Sequence, residues 1–163
     1  MRHVLIESIT ETEADGYYFG RFKSMDPITL IGPLDAPVCL IHRMELERAR
    51  NEGRFTEVYE LIDYQDKAEA KFGSRSKPAA MAVLIEELGY PTLTVPHHYP
   101  VAYYQELTKL GVALEIEHDD LFPERWIKSA DEIEGCREGA RISEAGFARV
   151  REILSAIGIG ADD

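Results

Sequence analysis

The chain has 163 residues, of which 45% are apolar and 29% charged, and its formal net charge is −12. These values are typical of one soluble globular domain that is large enough to bury a sizeable core. Such an acidic chain repels phosphate backbones, so we expect no nucleic-acid partner. No apolar run approaches the ~20 residues that span a membrane, and the start lacks the apolar segment of a signal peptide. We therefore expect a cytoplasmic protein without a membrane partner.

The first half of the chain is predicted to be rich in strands. "HVLIESI" is the first strand, and "TETEADG" after it is a polar connection. "YYFGRF" is an aromatic stretch with a turn at Gly20. "ITLIG" and "APVCLIH" predict a hairpin. A charged helix closed by Gly53 and a strand over "TEVYELI" follow.

The second half alternates helices and strands. "SKPAAMAVLIEELG" and "YPVAYYQELTKLG" each begin near a proline and end at a glycine, as helices do. Each precedes a short run of strand-forming residues, "TLTV" and "VALEIE" respectively. A strand, a helix and a second strand in this order predict a βαβ unit. The predicted fold class is α/β, with a mixed sheet flanked by helices and a long helix at the end of the chain.

That last helix has a clear start signal. Ser129 and Glu132 stand three residues apart, which is the spacing of a capping box. The helix is predicted to run from Ala130 to Ile157, before Gly158 and Gly160. At 1.5 Å per residue it is ~42 Å long, against a radius of gyration of ~15 Å for a domain of this size.

One face of the predicted helix carries a regular apolar stripe. Its first half is small and its second half is large, and three glycines in the helix each cost about 1 kcal/mol relative to alanine. Such a helix needs a packing partner to be stable. It is either a coiled-coil or core helix, or a connecting helix whose large end docks on a further domain. The stripe consists of Ile133, Cys136, Ala140, Ser143, Phe147, Val150, Leu154 and Ile157.

The segment "RWIKSADEIEGCREGA" resembles the junction between the two domains of creatinase, prolidase and aminopeptidase P. "ADGYYFGRFKSMDPITLI" and "CLIHRMELERAR" resemble segments of the N-terminal domain of that family, in the same order. The positions that match the junction are Arg125, Lys128, Glu132, Ile133, Arg137 and Ala140.

The resemblance implies an N-terminal domain over residues 1–128 and a linker helix over 129–163. The linker would lead to a "pita-bread" catalytic domain that hydrolyses Xaa-Pro peptides or related C–N bonds. That domain would bind two divalent metals, manganese, cobalt or zinc, through two aspartates, one histidine and two glutamates. All five ligands would follow residue 163, so we expect neither catalytic residues nor metal ligands in this chain. The family also implies a homodimer.

Arg21 is the one candidate for substrate contact. Its guanidinium suits two-point binding of a carboxylate, and the resemblance places this turn beside the catalytic cleft. Many peptidase members carry a hydrophobic residue after the glycine, so a small substrate derived from an amino acid is an alternative to a peptide. The other reading of Arg21 is an ion pair with a surface acid beside core aromatics.

The remaining chemical groups favour structural or solvated roles. His97 and His98 are adjacent in "PHHYP", and His42 and His118 are isolated, so no metal site is predicted. The acidic stretches "DYQDKAEAKF" and "EHDD" are interpreted as solvated faces. Cys39 and Cys136 match no redox or metal spacing and are expected to be buried thiols.

Two functions remain open from the sequence. The first is a non-catalytic N-terminal domain that lines the cleft of a dinuclear-metal hydrolase and supports dimerisation. The second is a stand-alone α/β domain that binds a small ligand or a protein. A flavodoxin-like nucleotide binder is disfavoured, because no glycine-rich phosphate loop follows a strand.

Overall fold

The computed structural model describes residues 2–157. They divide into two compact units, which meet in the sequence between Phe122 and Pro123. The first unit contains six strands and five helices, and the second contains a short 3-10 turn and one long helix. The predicted α/β class, with a mixed sheet flanked by helices, is confirmed.

The elements of the first unit follow one another with short connections. The strands are β1 (Val4–Ser8), β2 (Ile28–Gly32), β3 (Val38–Ile41), β4 (Glu57–Glu60), β5 (Leu93–Pro96) and β6 (Leu114–Glu117). The helices are α1 (Ala14–Gly20), α2 (Arg43–Glu52), α3 (Leu61–Phe72), α4 (Lys77–Leu88) and α5 (Val101–Lys109).

The strands form one sheet in the order β4-β3-β2-β1-β5-β6. β2 is antiparallel to both β1 and β3, which confirms the predicted hairpin. The other pairings are parallel, including β5 with β6, which confirms the predicted βαβ unit. As a result β1, β3, β4, β5 and β6 all point the same way.

Helices cover both faces of the sheet. The central strands are therefore buried on both sides. Successive residues of β1 alternate between two cores: Leu5 packs with α3, α4 and α5, whereas Val4 and Ile6 pack with the side of α1 and α2. α4 is almost wholly buried from Pro78 to Ile85. Ser76 caps it, as its oxygen accepts a hydrogen bond from the backbone N–H of Ala79.

The connection after β1 was predicted wrongly. Residues 14–20 form helix α1 instead of a polar connection and a turn. Two glycines in seven residues conceal the helix in the sequence, and both are required by packing. A Cβ at Gly16 would collide with the side chain of Ser8, and one at Gly20 would lie 2.8 Å from the Phe55 ring.

The second unit carries helix α6, which spans Ala130–Ala156, 27 residues. Both hydrogen bonds of the predicted capping box between Ser129 and Glu132 are present. Because α6 ends at Ala156, the predicted end at Ile157 is off by one residue. Gly158 and Gly160 lie outside the described residues. No residue of α6 is buried, and the large half of its apolar stripe, from Phe147 to Ile157, is exposed.

Candidate functional site

Arg21 lies directly after the last residue of α1, in the left-handed region of backbone conformation with φ 49°. It is the only non-glycine residue with a positive φ among residues 2–157. Its backbone N–H donates to the carbonyl of Tyr17 at 2.7 Å. Gly20, one residue earlier, is helical, so the turn predicted at Gly20 is made by Arg21.

The surroundings fix this turn from both sides. The carbonyl of Gly20 accepts a hydrogen bond from the backbone N–H of Arg54 at 2.8 Å. The guanidinium of Arg21 lies over the Tyr18 ring, 4.9 Å from its centroid, and that ring packs at 5.6 Å against Phe122. The guanidinium is thus held against an aromatic face. Whether Arg21 contacts a substrate remains a prediction.

The two adjacent histidines are both exposed, after β5. Nε2 of His98 lies 2.5 Å from a carboxylate oxygen of Glu13, and the rings of His97 and His98 meet edge to face at 5.1 Å. His98 therefore ties the loop after β5 to the start of α1. His42 and His118 are also exposed. Within residues 2–157, no group of three or more histidine, cysteine, aspartate or glutamate side chains is placed to hold a metal ion.

The two acidic stretches lie on the surface, as predicted. In the first, Asp66 and Glu69 both pair with Arg75. In the second, Glu117 pairs with Arg2 at 3.5 Å, and Asp119 is exposed. Exposed pairs of this kind contribute little to stability.

The cysteines differ in burial. Cys39 is buried in β3, where burial raises the pKa of its thiol well above the usual range. Cys136 lies on α6 and is exposed, so its expected burial was wrong.

A buried polar cluster at the end of β1 escaped the sequence analysis. A carboxylate oxygen of Glu7 accepts a hydrogen bond from the Thr29 hydroxyl at 2.7 Å, and the other pairs with the ammonium group of Lys77. The Lys77 ammonium group also donates to the carbonyl of Pro27 at 2.9 Å. The side chains of Glu7 and Lys77 are only 6% and 15% exposed. A carboxylate inside the apolar run "HVLIESI" was the available signal for a buried partner.

Two buried hydroxyls, of Ser8 and Tyr99, lack a hydrogen-bond partner among the described residues. Tyr99 lies on the same side of the sheet as this cluster, whereas Ser8 lies on the opposite side, against Gly16 of α1. Burial, followed by the nearby Glu7 charge, raises the pKa of the Tyr99 hydroxyl well above its usual range. Tyr99 is thus a neutral hydroxyl next to a buried ion pair.

No protein-family model matches the chain, and no curated protein matches it significantly. Solved structures, in contrast, match the chain significantly. X-Pro aminopeptidase from Thermotoga maritima superposes with a TM-score of 0.73 at 18% identity, over 98% of this chain and 42% of that chain. Xaa-Pro dipeptidase from Bacillus anthracis gives 0.70 at 17% identity, over 95% of this chain and 39% of that chain.

The chain shares its fold with part of these Xaa-Pro peptidases. The resemblance identified in the sequence is thereby confirmed at the level of the fold. The chain spans about 42% of the Thermotoga maritima protein it matches. A proline dipeptidase from Streptococcus pneumoniae was solved as a shorter chain, with a TM-score of 0.51 at 17% identity, over 78% of this chain and 89% of that chain. No helix in residues 2–157 is long and apolar enough to cross a membrane.

Proposed function

We propose that this chain is the non-catalytic N-terminal domain of a dinuclear-metal hydrolase of the Xaa-Pro peptidase and creatinase type. Its role is to line the catalytic cleft and to support a homodimer. The observation that carries the proposal is the unequal coverage of the Thermotoga maritima aminopeptidase: 98% of this chain but only 42% of that one. Manganese, cobalt or zinc would bind to the catalytic domain, beyond residue 163.

The first test is to read the coding sequence beyond codon 163. The proposal expects an open frame that encodes two aspartates, a histidine and two glutamates in that order. The purified 163-residue chain, with excess manganese, should not hydrolyse Xaa-Pro peptides, whereas the longer polypeptide should. Turnover by the 163-residue chain, or tight stoichiometric metal binding to it, would refute the proposal.

Arg21 is proposed as the residue of this domain that contacts the substrate carboxylate. The left-handed backbone and the Tyr18 ring support this, because together they hold the guanidinium in one place before any ligand arrives. In the longer polypeptide, Arg21→Met should lower kcat/KM by about tenfold or more, the value of a hydrogen bond to a charged group. Arg21→Lys should recover only part of the loss. An unchanged kcat/KM in both variants would exclude the contact.

The second candidate is a stand-alone domain that binds a protein or a small ligand. In the Streptococcus pneumoniae structure, which is named as a proline dipeptidase, this fold was solved as a chain of comparable size. A stop codon after residue 163 would favour this candidate over the hydrolase domain. Light scattering of the 163-residue chain then decides whether it self-associates, and a strict monomer at high concentration would count against a homodimer of this part.

A further inference from the structure

β5 and β6 turn a polar face to one side of the sheet. The segment "TLTV" enters β5 and "LEIE" forms β6, and both alternate polar with apolar residues, so each strand has one polar face. Thr94 pairs with Val4 of β1 on one side and with Glu115 of β6 on the other, so these three side chains share a face. The apolar cluster to which Val4 belongs contains no residue of β5 or β6. At this end of the sheet, polar side chains therefore replace the core.

A cavity of about 360 Å³ opens on this polar face. Its volume lies at the lower end of the range for small-molecule sites, about 300–1,000 Å³. Arg2 borders the cavity and bridges it from β1 to the segment after β6, since its guanidinium donates to the carbonyl of Leu121 and lies 3.5 Å from a carboxylate oxygen of Glu117. His3 also borders the cavity, but its ring is stacked on Tyr90, with 4.2 Å between the ring centroids.

The polar side chains of the cavity differ in whether the chain itself satisfies them. Glu117 is satisfied, because its second carboxylate oxygen accepts a hydrogen bond from the backbone N–H of Asp119 at 3.3 Å. By contrast, the side chains of Thr92, Thr94 and Glu115 form no hydrogen bond or ion pair with any other residue of 2–157. Thr94 and Glu115 are direct neighbours on adjacent strands, which lie roughly 5 Å apart. A hydroxyl and an unpaired carboxylate thus stand side by side in the cavity.

The charges that line the cavity decide which ligands suit it. Two carboxylates stand against one guanidinium, and the carboxylate of Glu115 has no cation. A complementary ligand therefore brings a positive group, and an ammonium group supplies three N–H donors for carboxylate and hydroxyl oxygens. Arg2 has five N–H donors, and its contact with Glu117 is long, so its guanidinium also has donors for a ligand carboxylate. Both signs of charge in one small cavity suit a zwitterion.

We propose that this cavity binds a small zwitterion with a primary ammonium group, of the class of the free α-amino acids. The ammonium group donates to the Glu115 carboxylate and to the Thr94 hydroxyl. The carboxylate of the ligand accepts hydrogen bonds from the Arg2 guanidinium. This inference does not depend on the proposed function, because every group that it uses belongs to the first unit and the 163-residue chain itself can be tested.

Titration of the 163-residue chain with L-alanine, followed by NMR of the backbone amides, tests the site. The amide signals of Thr94 and Glu115 should shift and saturate, whereas that of Glu57, on the edge strand β4, should not move. Ethylamine and acetate each carry one of the two charged groups of L-alanine. Each should bind about tenfold or more weakly than L-alanine, because each lacks hydrogen bonds to a charged group. Sodium chloride at the same concentration controls for the screening of surface charge.

Single substitutions assign each contact. Glu115→Gln should weaken the binding of L-alanine and of ethylamine by about tenfold or more, whereas Thr94→Val, which removes one hydroxyl, should weaken both by about threefold. Arg2→Gln should weaken L-alanine but leave ethylamine unchanged. Glu57→Gln is the matched control, an exposed glutamate on the other edge strand, and should change neither. Because Arg2 and Glu115 are exposed and Thr94 is half-buried, these variants should fold.

Each outcome supports or overturns the site. Saturable shifts at the cavity that Glu115→Gln, Thr94→Val and Arg2→Gln weaken as described support it. No saturable shift with L-alanine, or the same shifts with sodium chloride alone, overturns it. Equal affinity for ethylamine and L-alanine overturns the contact with Arg2 and with it the zwitterion. Equal weakening by Glu57→Gln and Glu115→Gln shows a general effect of net charge and also overturns the site.

Discussion

At the scale of single residues, one backbone conformation and one buried ion pair are arrangements that normally cost free energy. Arg21 adopts a left-handed backbone that costs an L-residue roughly 1–2 kcal/mol. Glu7 and Lys77 are charged groups that are largely removed from water, and they are compensated by each other and by Thr29 and Pro27. Each arrangement makes a measurable prediction.

Glycine at position 21 should be better tolerated than alanine. Both substitutions remove the guanidinium and its contact with Tyr18, but only glycine relieves the left-handed backbone. Arg21→Gly should therefore be about 1 kcal/mol more stable than Arg21→Ala, measured from the urea midpoints of the two variants. Equal midpoints would show that the turn relaxes to another conformation.

Removal of one member of the buried ion pair should be costly. Lys77→Met leaves the Glu7 carboxylate without its cation, and we expect a loss of about 3 kcal/mol in the free energy of unfolding. The double variant Glu7→Gln/Lys77→Met should recover part of this loss, because no buried charge is then left unpaired. Additive losses in the double-mutant cycle would contradict a direct interaction between the two groups.

At the scale of elements, the hairpin, the βαβ unit and the capping box could be predicted from local patterns. α1 could not, because its glycines lower helix propensity and are explained only by Ser8 and Phe55, which are distant in sequence or belong to another element. α3 was missed altogether: "TEVYELI" was predicted as one strand, but β4 ends at Glu60 and α3 begins at the next residue, and "DYQDKAEAKF" was interpreted only as a solvated acidic face. The ion pair of Glu7 and Lys77 spans 70 positions, beyond the reach of any local pattern.

The contact between α3 and α4 should depend on pH. A hydrogen bond from Lys67, with another from Tyr64, lowers the pKa of the Glu87 carboxyl. A carboxyl whose pKa is lower in the folded state stabilises the fold above its unfolded value, near 4.3, and loses this effect as pH falls through the folded value.

Glu87→Gln should therefore lower the thermal midpoint at pH 7, and the difference from the unmodified chain should shrink as pH falls below about 4.3 and vanish once the folded carboxyl is protonated. Glu57→Gln is a suitable control, since that glutamate is exposed on β4. A difference that persists at low pH would mean that Glu87 acts through packing.

Helix α6 should gain stability from alanine at its exposed glycines. No atom lies within 4 Å of a Cβ built at Gly135 or Gly139, so the substitution costs no packing in the chain as described. Gly139→Ala should raise helicity at 222 nm and stabilise the helix by up to about 1 kcal/mol. A loss of stability would show that another surface packs closely against this glycine.

At the scale of the whole molecule, the sheet has a centre and two edges. β1 and β2 are paired on both sides and buried on both faces, whereas β4 and β6 each have one free side. Amide hydrogen exchange should therefore be slowest in β1 and β2 and report global unfolding there. Exchange in β6, whose residues 115 and 116 are exposed, should be faster by an order of magnitude or more. Equal protection across the sheet would indicate that something covers β6.

The unequal burial of the two cysteines has a practical consequence. Cys39 is fully buried, and burial suppresses its thiolate form, whereas Cys136 is exposed on α6. A thiol-reactive dye should therefore attach at Cys136 alone in the native chain, without any engineered substitution. Its fluorescence would report the arrival of a binding partner on the apolar stripe, independently of any enzymatic assay.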